Sequence, residues 1–287
     1  MTPTTSLGAV RFVALLGAAL ATACKPTAEP ATVNQPAAVA PALPASPVVE
    51  APMDRAGLLQ AVAKAASAAA LGQDDVAVQR SLDGRRFEIR LRFACPGPAR
   101  EAESPLSAAF DEKTNILRVR AAPDVSRDDP FVATLGGADV EAVEGFWLRR
   151  PWLVGDGCPV LPVPSTPEAT NDEGSTDDST SAKAVLAQPG VQRVGIAQFF
   201  STSDARTGRR DGRPYEVTRA LAADAQPSAQ GYALILSGRL RQLPDGRVIS
   251  CKAQFGDAPP PCLVSATIDR VAIANPQTNA ELANWSR

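Results

Sequence analysis

Histidine is absent from all 287 residues of this sequence. Without an imidazole the chain cannot build a Ser-His-Asp or Cys-His nucleophile, a histidine-ligated zinc site or the usual general base of pH 7 chemistry. The sequence also lacks the Gly-x-Ser-x-Gly, Gly-x-x-x-x-Gly-Lys and Gly-x-Gly-x-x-Gly motifs. These absences predict a protein that is not an enzyme and that uses neither a cofactor nor a metal ion.

Closely spaced cysteine pairs are missing as well. The four cysteines in the body of the chain follow one another at intervals of 63, 93 and 11 residues, which excludes a thiolate zinc site or a redox dithiol of the Cys-x-x-Cys type. Structural disulfides are the expected use of these residues, which are Cys95, Cys158, Cys251 and Cys262.

The chain has no apolar run long enough to remain in a membrane as a helix. Residues 12–23 are twelve consecutive apolar, small or Thr residues behind a single charge, Arg11. About twenty apolar residues are needed to cross a bilayer, so this run is typical of a cleaved signal peptide over residues 1–23. The sequence therefore predicts export from the cytoplasm.

The signal segment ends in Ala21-Thr22-Ala23-Cys24, which resembles the lipobox of bacterial lipoproteins. The resemblance implies that Cys24 carries a lipid and becomes the mature amino terminus. Five cysteines leave one unpaired if the other four form disulfides, and lipidation gives Cys24 a use. Lys25 follows it in place of the Asp that retains lipoproteins at the inner membrane, so the resemblance implies an outer-membrane anchor facing the periplasm. The same Ala-Thr-Ala would also serve an ordinary signal peptidase, which leaves a soluble periplasmic protein as the alternative.

Two low-complexity segments flank the first candidate domain. Residues 24–52 begin with the lipidated cysteine, carry seven Pro and eight Ala, and lack Gly and aromatic residues, which favours an extended, disordered tether. Residues 164–188 are acidic and almost free of large apolar side chains, which predicts a disordered linker. The net charge of −2 gives no attraction for nucleic acid.

The remaining sequence predicts a mainly β protein with one N-terminal helix, arranged as two small antiparallel β-rich domains at 53–163 and 189–287. Apolar residues recur at helical spacing from Leu58, behind the potential N-cap Asp54. Apolar residues then alternate with charged ones over 86–93, behind the potential hairpin turn Asp83-Gly84. We expect a further strand over 144–158, and an antiparallel meander from 231 onward that closes with Trp285 against the sheet.

Turn positions predict one of the disulfides directly. A hairpin centred between residues 256 and 257 places Cys251 opposite Cys262, since both are equally far from the centre. A cross-strand disulfide is therefore expected at this pair. Cys95 and Cys158 then pair by elimination.

Two groups of residues are candidates for a binding surface. Two of the chain's three Trp lie with two adjacent Arg in the stretch 146–152, a combination suited to a sugar, a phosphate or a carboxylate. A second basic cluster follows at 206–213. The residues of this possible surface are Trp147, Arg149, Arg150, Trp152, Arg209 and Arg210. The alternative is that the Trp residues fill the core and the Arg residues face water.

Three function hypotheses remain. The first is a non-catalytic, lipid-anchored envelope protein whose β-rich body binds another envelope component, a protein or a glycan. The second is a carboxylate-dependent hydrolase of glycans or peptidoglycan, for which paired acids are needed. The candidate pairs are Asp139 with Glu141, Glu141 with Glu144, and Asp128 with Asp129. The third is an inhibitor or immunity-type protein that blocks a partner through an exposed loop.

Overall fold

The computed structural model describes residues 50–286, except for 74, 96, 100–103, 160–191, 205–208 and 255–257. The expected signal peptide, Cys24, nearly all of the tether and the acidic linker at 164–188 lie outside the described residues. Three helices are found in the described part: α1 (Arg55–Ala70), α2 (Val76–Gln79) and α3 (Pro130–Ala133). A 3-10 turn, Arg80–Leu82, follows α2.

Ten strands are found in the described part of the chain. They are β1 (Arg86–Phe93), β2 (Leu106–Asp111), β3 (Ile116–Ala121), β4 (Val140–Trp147), β5 (Val194–Ser201), β6 (Tyr215–Ala220), β7 (Tyr232–Leu240), β8 (Ile249–Cys251), β9 (Cys262–Asn275) and β10 (Ala280–Ser286). The main sheet has the order β1-β7-β9-β5-β4, with β8 and β10 also paired to β9. The small sheet has the order β2-β3-β6. The prediction of a mainly β fold with an N-terminal helix is confirmed.

The helix α1 begins and ends where the sequence predicts. The Asp54 side chain accepts a 2.8 Å hydrogen bond from the Gly57 N–H, which satisfies one of the free amide groups of the first turn. Leu58 and Val62 are buried on the face that packs against the main sheet. Gly72 has φ +62°, a conformation that ends helices readily because glycine has no Cβ.

The turn at Asp83-Gly84 is present, but the hairpin predicted there is wrong. A 3-10 turn precedes it where a hairpin would need a strand, so β1 has no partner on that side in sequence. Instead the Gly84 N–H donates to the carbonyl oxygen of Leu240 at the end of β7. The partner of β1 is therefore far away along the chain.

Strands from the two predicted domains pair with each other, contrary to our expectation of two separate domains. β1 pairs with β7 over its whole length, from Arg86 opposite Arg239 to Phe93 opposite Tyr232. β4 pairs with β5, and β3 pairs with β6, so both sheets combine strands from both segments. Val49–Arg287 forms one compact unit. β7 and β9 are buried along most of their length and lie in the interior of the main sheet, where β7 pairs with β1 of the first segment.

One pairing also departs from the expected antiparallel arrangement. β5 and β9 run parallel, with Val194 opposite Cys262. The other pairings between the named strands are antiparallel.

One large hydrophobic core connects α1 and strands of both sheets. Tyr215 on β6 lies between the sheets. Its ring centroid is 6.2 Å from that of Phe146 on β4 and 5.1 Å from that of Trp285 on β10. The expectation that Trp285 packs back on the sheet is confirmed. These aromatic contacts fix the end of β4, from which the candidate site begins.

Both predicted disulfides are present. Cys251 and Cys262 are directly opposite in the β8–β9 ladder, and Cys95 joins Cys158 across 63 residues of sequence. Two such bonds place the folded body in an oxidising, non-cytoplasmic compartment. Within the described ranges, no helix has the length and apolar character that a bilayer span requires.

Candidate functional site

The chain leaves the main sheet at the end of β4 and forms a loop. β4 ends at Trp147, so the expectation of one strand reaching Cys158 is wrong. The Leu148 N–H still donates to the Val194 carbonyl, but Arg150 then adopts φ +52°, which reverses the chain direction. The resulting segment, which we call the 149–158 loop, is held at its far end by the Cys95–Cys158 disulfide.

Arg55, the first residue of α1, holds this loop in place through hydrogen bonds. Its guanidinium is 4 % exposed and donates three hydrogen bonds of 2.9 Å, all to backbone carbonyl oxygens of the loop, those of Arg149, Arg150 and Leu153. Burial lowers the pKa of Arg55 from its usual value. The loop is therefore positioned by the Arg55 guanidinium as well as by the disulfide.

Further arginines surround Arg55. The side chains that line a small cleft at the loop form what we call the arginine cluster: Arg55, Arg90, Arg92, Arg149 and Arg150. The Arg150 guanidinium donates to the Arg92 carbonyl oxygen at 2.9 Å and lies 3.4 Å from the Cys95 sulfur. The cleft is completed by the loop residues Leu153, Gly155, Asp156 and Gly157.

The charges in this cleft do not balance. Burial lowers the pKa of both Arg92 and Arg150, and each is lowered further by a neighbouring guanidinium. Asp156 is the one acid that lines the cleft, and burial raises the pKa of its carboxyl despite the opposing effect of Arg55 and Arg90. The site therefore concentrates partly dehydrated guanidinium groups, and Glu88 and Asp124 pair with two of them from outside the cleft lining.

The loop also presents exposed apolar side chains beside this charge. Trp152 is 61 % exposed and Val154 is 59 % exposed. A large aromatic residue on a fixed loop, next to guanidinium groups, has the composition of a binding hot spot.

No protein-family model matches this chain, and no characterised protein or solved structure matches it.

Trp147, another of the predicted surface residues, lies half-buried in the fold. The Arg193 guanidinium stacks 3.9 Å from its ring centroid, and Arg193 also pairs with Asp129 at 2.9 Å. The backbone N–H of Trp147 donates to the Asp124 carboxylate at 2.8 Å, and that carboxylate lies 3.7 Å from the Arg149 guanidinium. Trp147 thus anchors the end of β4, which agrees with the core alternative for this residue.

Arg209 and Arg210 make intramolecular contacts on another part of β4. The amide groups of Arg210 and Asp211 donate to the Glu144 carboxylate, at 2.9 Å and 2.6 Å, and Glu144 is only 8 % exposed. The Arg210 guanidinium lies 4.6 Å above the ring of Tyr215. Arg209 pairs with Glu141 at 3.2 Å. These contacts indicate a structural role in holding the chain before β6.

Three of the five acids considered for hydrolysis have structural partners. Glu141 and Glu144 bind the 209–211 segment, as described above. Asp129 caps α3 by accepting a hydrogen bond from the Phe131 N–H at 2.9 Å. In the portion of the chain that the structure describes, no three acidic or cysteine side chains come together as a metal site.

Sequence reasoning missed three members of the site. Arg90 and Arg92 were recognisable as the polar face of β1, because charged residues alternate with apolar ones there. The sequence did not show that the 149–158 loop would cover that face. Arg55 gave no signal at all, because the loop carbonyls that it binds lie more than 90 positions away in sequence.

Proposed function

We propose that this chain is a non-catalytic binding protein of the bacterial cell envelope, and that the 149–158 loop is its docking surface for another envelope protein. The observation that carries the proposal is the exposed pair Trp152 and Val154 on a loop held by Arg55 and by a disulfide. A loop held in one conformation loses little entropy on binding, which favours affinity. The lack of histidine and the structural engagement of the candidate acids support a role without turnover.

The proposal includes a lipid anchor on Cys24 at the outer membrane, with the body facing the periplasm. The lipobox-like stretch and the pairing of the other four cysteines support it, because Cys24 is the one cysteine left over. An inhibitor or immunity-type role is a special case of the same proposal. It is favoured by the fixed loop and would be recognised by a partner that loses activity in the complex.

The anchor predicts a simple change in fractionation. Replacing Cys24 by Ser should move the protein from the membrane fraction to the soluble periplasmic fraction, because the thiol that takes the lipid is gone. Mass spectrometry of the parent protein should find an acylated Cys24 at its amino terminus. Thr22→Ser keeps a small residue before the cysteine and is the control, which should remain with membranes. Unchanged fractionation of Cys24→Ser would exclude the anchor.

The docking surface predicts site-specific crosslinking in living cells. A photo-crosslinking residue placed at 152 should capture one envelope protein in one-to-one ratio. The same residue placed at 71 should not, although Leu71 is 69 % exposed and so equally accessible. With the purified partner, Trp152→Ala should weaken binding roughly thirtyfold, as expected for a hot-spot tryptophan, and Leu71→Ala should leave it unchanged.

Two results would contradict the docking surface. One is equal capture from positions 152 and 71, which indicates nonspecific contact. The other is hydrolysis of a glycan or peptidoglycan substrate by the purified protein, lost in Glu141→Gln, since that would make the hydrolase hypothesis correct.

A further inference from the structure

We propose that the arginine cluster is a carboxylate-binding site for an acidic segment of the protein partner, and that Asp156 partly occupies this site in the free protein. The inference rests on the proposed function, because the partner that supplies the carboxylate is the one that docks on the 149–158 loop.

The first observation is the excess of unneutralised guanidinium groups. Of the five arginines, two have an acid within ion-pair distance in the described part of the chain: Arg90 lies 3.4 Å from Glu88, and Arg149 lies 3.7 Å from Asp124. The other three, Arg55, Arg92 and Arg150, donate to backbone carbonyl oxygens. Arg150 also donates to a cysteine sulfur. Neutral acceptors do not cancel their charge, so an additional anion would be attracted.

The second observation is that the cluster has donors to spare. The Nε atoms of Arg92 and Arg149 are buried, and neither has a hydrogen-bond partner among the described residues. A buried donor without an acceptor is unfavourable. An arriving carboxylate brings two oxygen atoms, which suits the forked geometry of a guanidinium.

The third observation is the position of Asp156. It lines the cleft between Gly155 and Gly157, and a Cβ placed on either glycine would meet no atom within 4 Å. In the described part of the chain its carboxylate makes no hydrogen bond and no ion pair. The arginines act on it only over longer distances, and burial raises its pKa. Asp156 is thus a carboxylate that is near the site but loosely held, and a better-placed carboxylate can displace it.

The surroundings favour a protein carboxylate over a membrane phosphate. Trp152 and Val154 are exposed beside the cleft and match the apolar side chains of a peptide. The partner segment therefore combines an acidic residue with neighbouring apolar ones.

The test measures binding to the full-length mature protein with its disulfides intact. The probe is the peptide acetyl-Leu-Glu-Leu-Glu-Leu-amide, with a Gln-for-Glu peptide as the uncharged comparison, and affinity is read by calorimetry at low salt. Asp156→Asn should tighten binding of the Glu peptide about fivefold, since it removes the competing charge. Asp128→Asn is the matched control, because Asp128 is exposed and is not among the residues that line the cleft.

A second pair of variants tests the arginines. Arg90→Gln should weaken binding of the Glu peptide about fivefold through loss of a favourable charge. Arg118→Gln is the control, since Arg118 is also exposed on a strand and also has one carboxylate at 3.4 Å, that of Glu216. Opposite effects of the Asp156 and Arg90 variants would not arise from a general loss of structure.

Three outcomes would overturn the inference. They are equal affinities of Asp156→Asn and Asp128→Asn, equal binding of the Glu and Gln peptides, and binding of phosphatidylglycerol vesicles in place of the Glu peptide. Capture of the partner from position 152 reports separately on the docking surface. If capture persists while the peptide results fail, the docking surface stands and the carboxylate site is excluded; if capture fails, the proposed function itself is excluded.

Discussion

Replacing Arg55 by Met is expected to lower the free energy of unfolding by about 2 to 4 kcal/mol. Arg55 is 4 % exposed and its guanidinium donates to three loop carbonyls at 2.9 Å. Methionine fills a similar length but donates nothing, so these carbonyls lose their partners. The loop backbone is only half-buried and part of the loss is regained from water, which sets the upper limit. Urea unfolding followed by circular dichroism measures the change.

Two further variants make this result specific. Arg55→Lys keeps the charge, but one ammonium group cannot reach all three carbonyls. Its free energy of unfolding should therefore lie between those of Arg55→Met and the parent. Arg80→Met changes an arginine that is exposed in the 3-10 turn and should unfold at the parent's urea concentration. If Arg55→Met unfolds together with Arg80→Met, the loop does not depend on this guanidinium.

Replacing Cys95 and Cys158 together by Ser is expected to cost about 4 kcal/mol of stability. This bond joins residues separated by 63 positions, and a long closed segment restricts the unfolded chain strongly. Its loss should also free the end of the 149–158 loop, since the bond and Arg55 are what hold it. We therefore expect trypsin to cleave after Arg149 in this variant and to spare that site in the parent.

The other disulfide supplies the matched control. Cys251 and Cys262 are 11 positions apart and directly opposite in a β ladder, so the same double replacement should cost about 3 kcal/mol. The effect should stay local, and the Arg149 site should remain protected. Equal cleavage after Arg149 in both double variants would contradict the role assigned to the Cys95–Cys158 bond.

The local elements were predictable because each is determined by residues within a short stretch of sequence. α1 combines an N-cap at Asp54 with apolar residues at helical spacing, and β1 alternates perfectly between apolar and charged residues. The Cys251–Cys262 pair followed from the centre of one turn. In each case the interacting residues lie within about fifteen positions, where pattern and spacing decide the structure.

The long-range arrangement was not predictable in the same way. β1 pairs with β7 across more than 130 positions, and nothing in the alternation of β1 says which strand accepts its hydrogen bonds. The continuous apolar run in β7 was a usable signal that this strand is covered on both faces, but it does not say which strands lie beside it.

The binding surface was predicted only in part for a related reason. Arg149, Arg150 and Trp152 do meet on one loop, but the strand assumed for them ends earlier, at Trp147. Arg210 looked like an exposed cation because its neighbours in sequence are polar. The acid that engages its backbone, Glu144, lies 66 positions away. A residue's role was thus recoverable where its partner was near in sequence and hidden where it was distant.

The central position of β9 sets the order in which this protein can assemble. β1 is complete once residue 93 has been synthesised, yet its partner β7 begins at Tyr232 and the next strand, β9, begins at Cys262. β4 and β5 join the others only through β9. A nascent chain therefore cannot close its core until that strand has emerged, and such distant pairings form slowly. This delay leaves the growing polypeptide without a closed core until β9 has been synthesised.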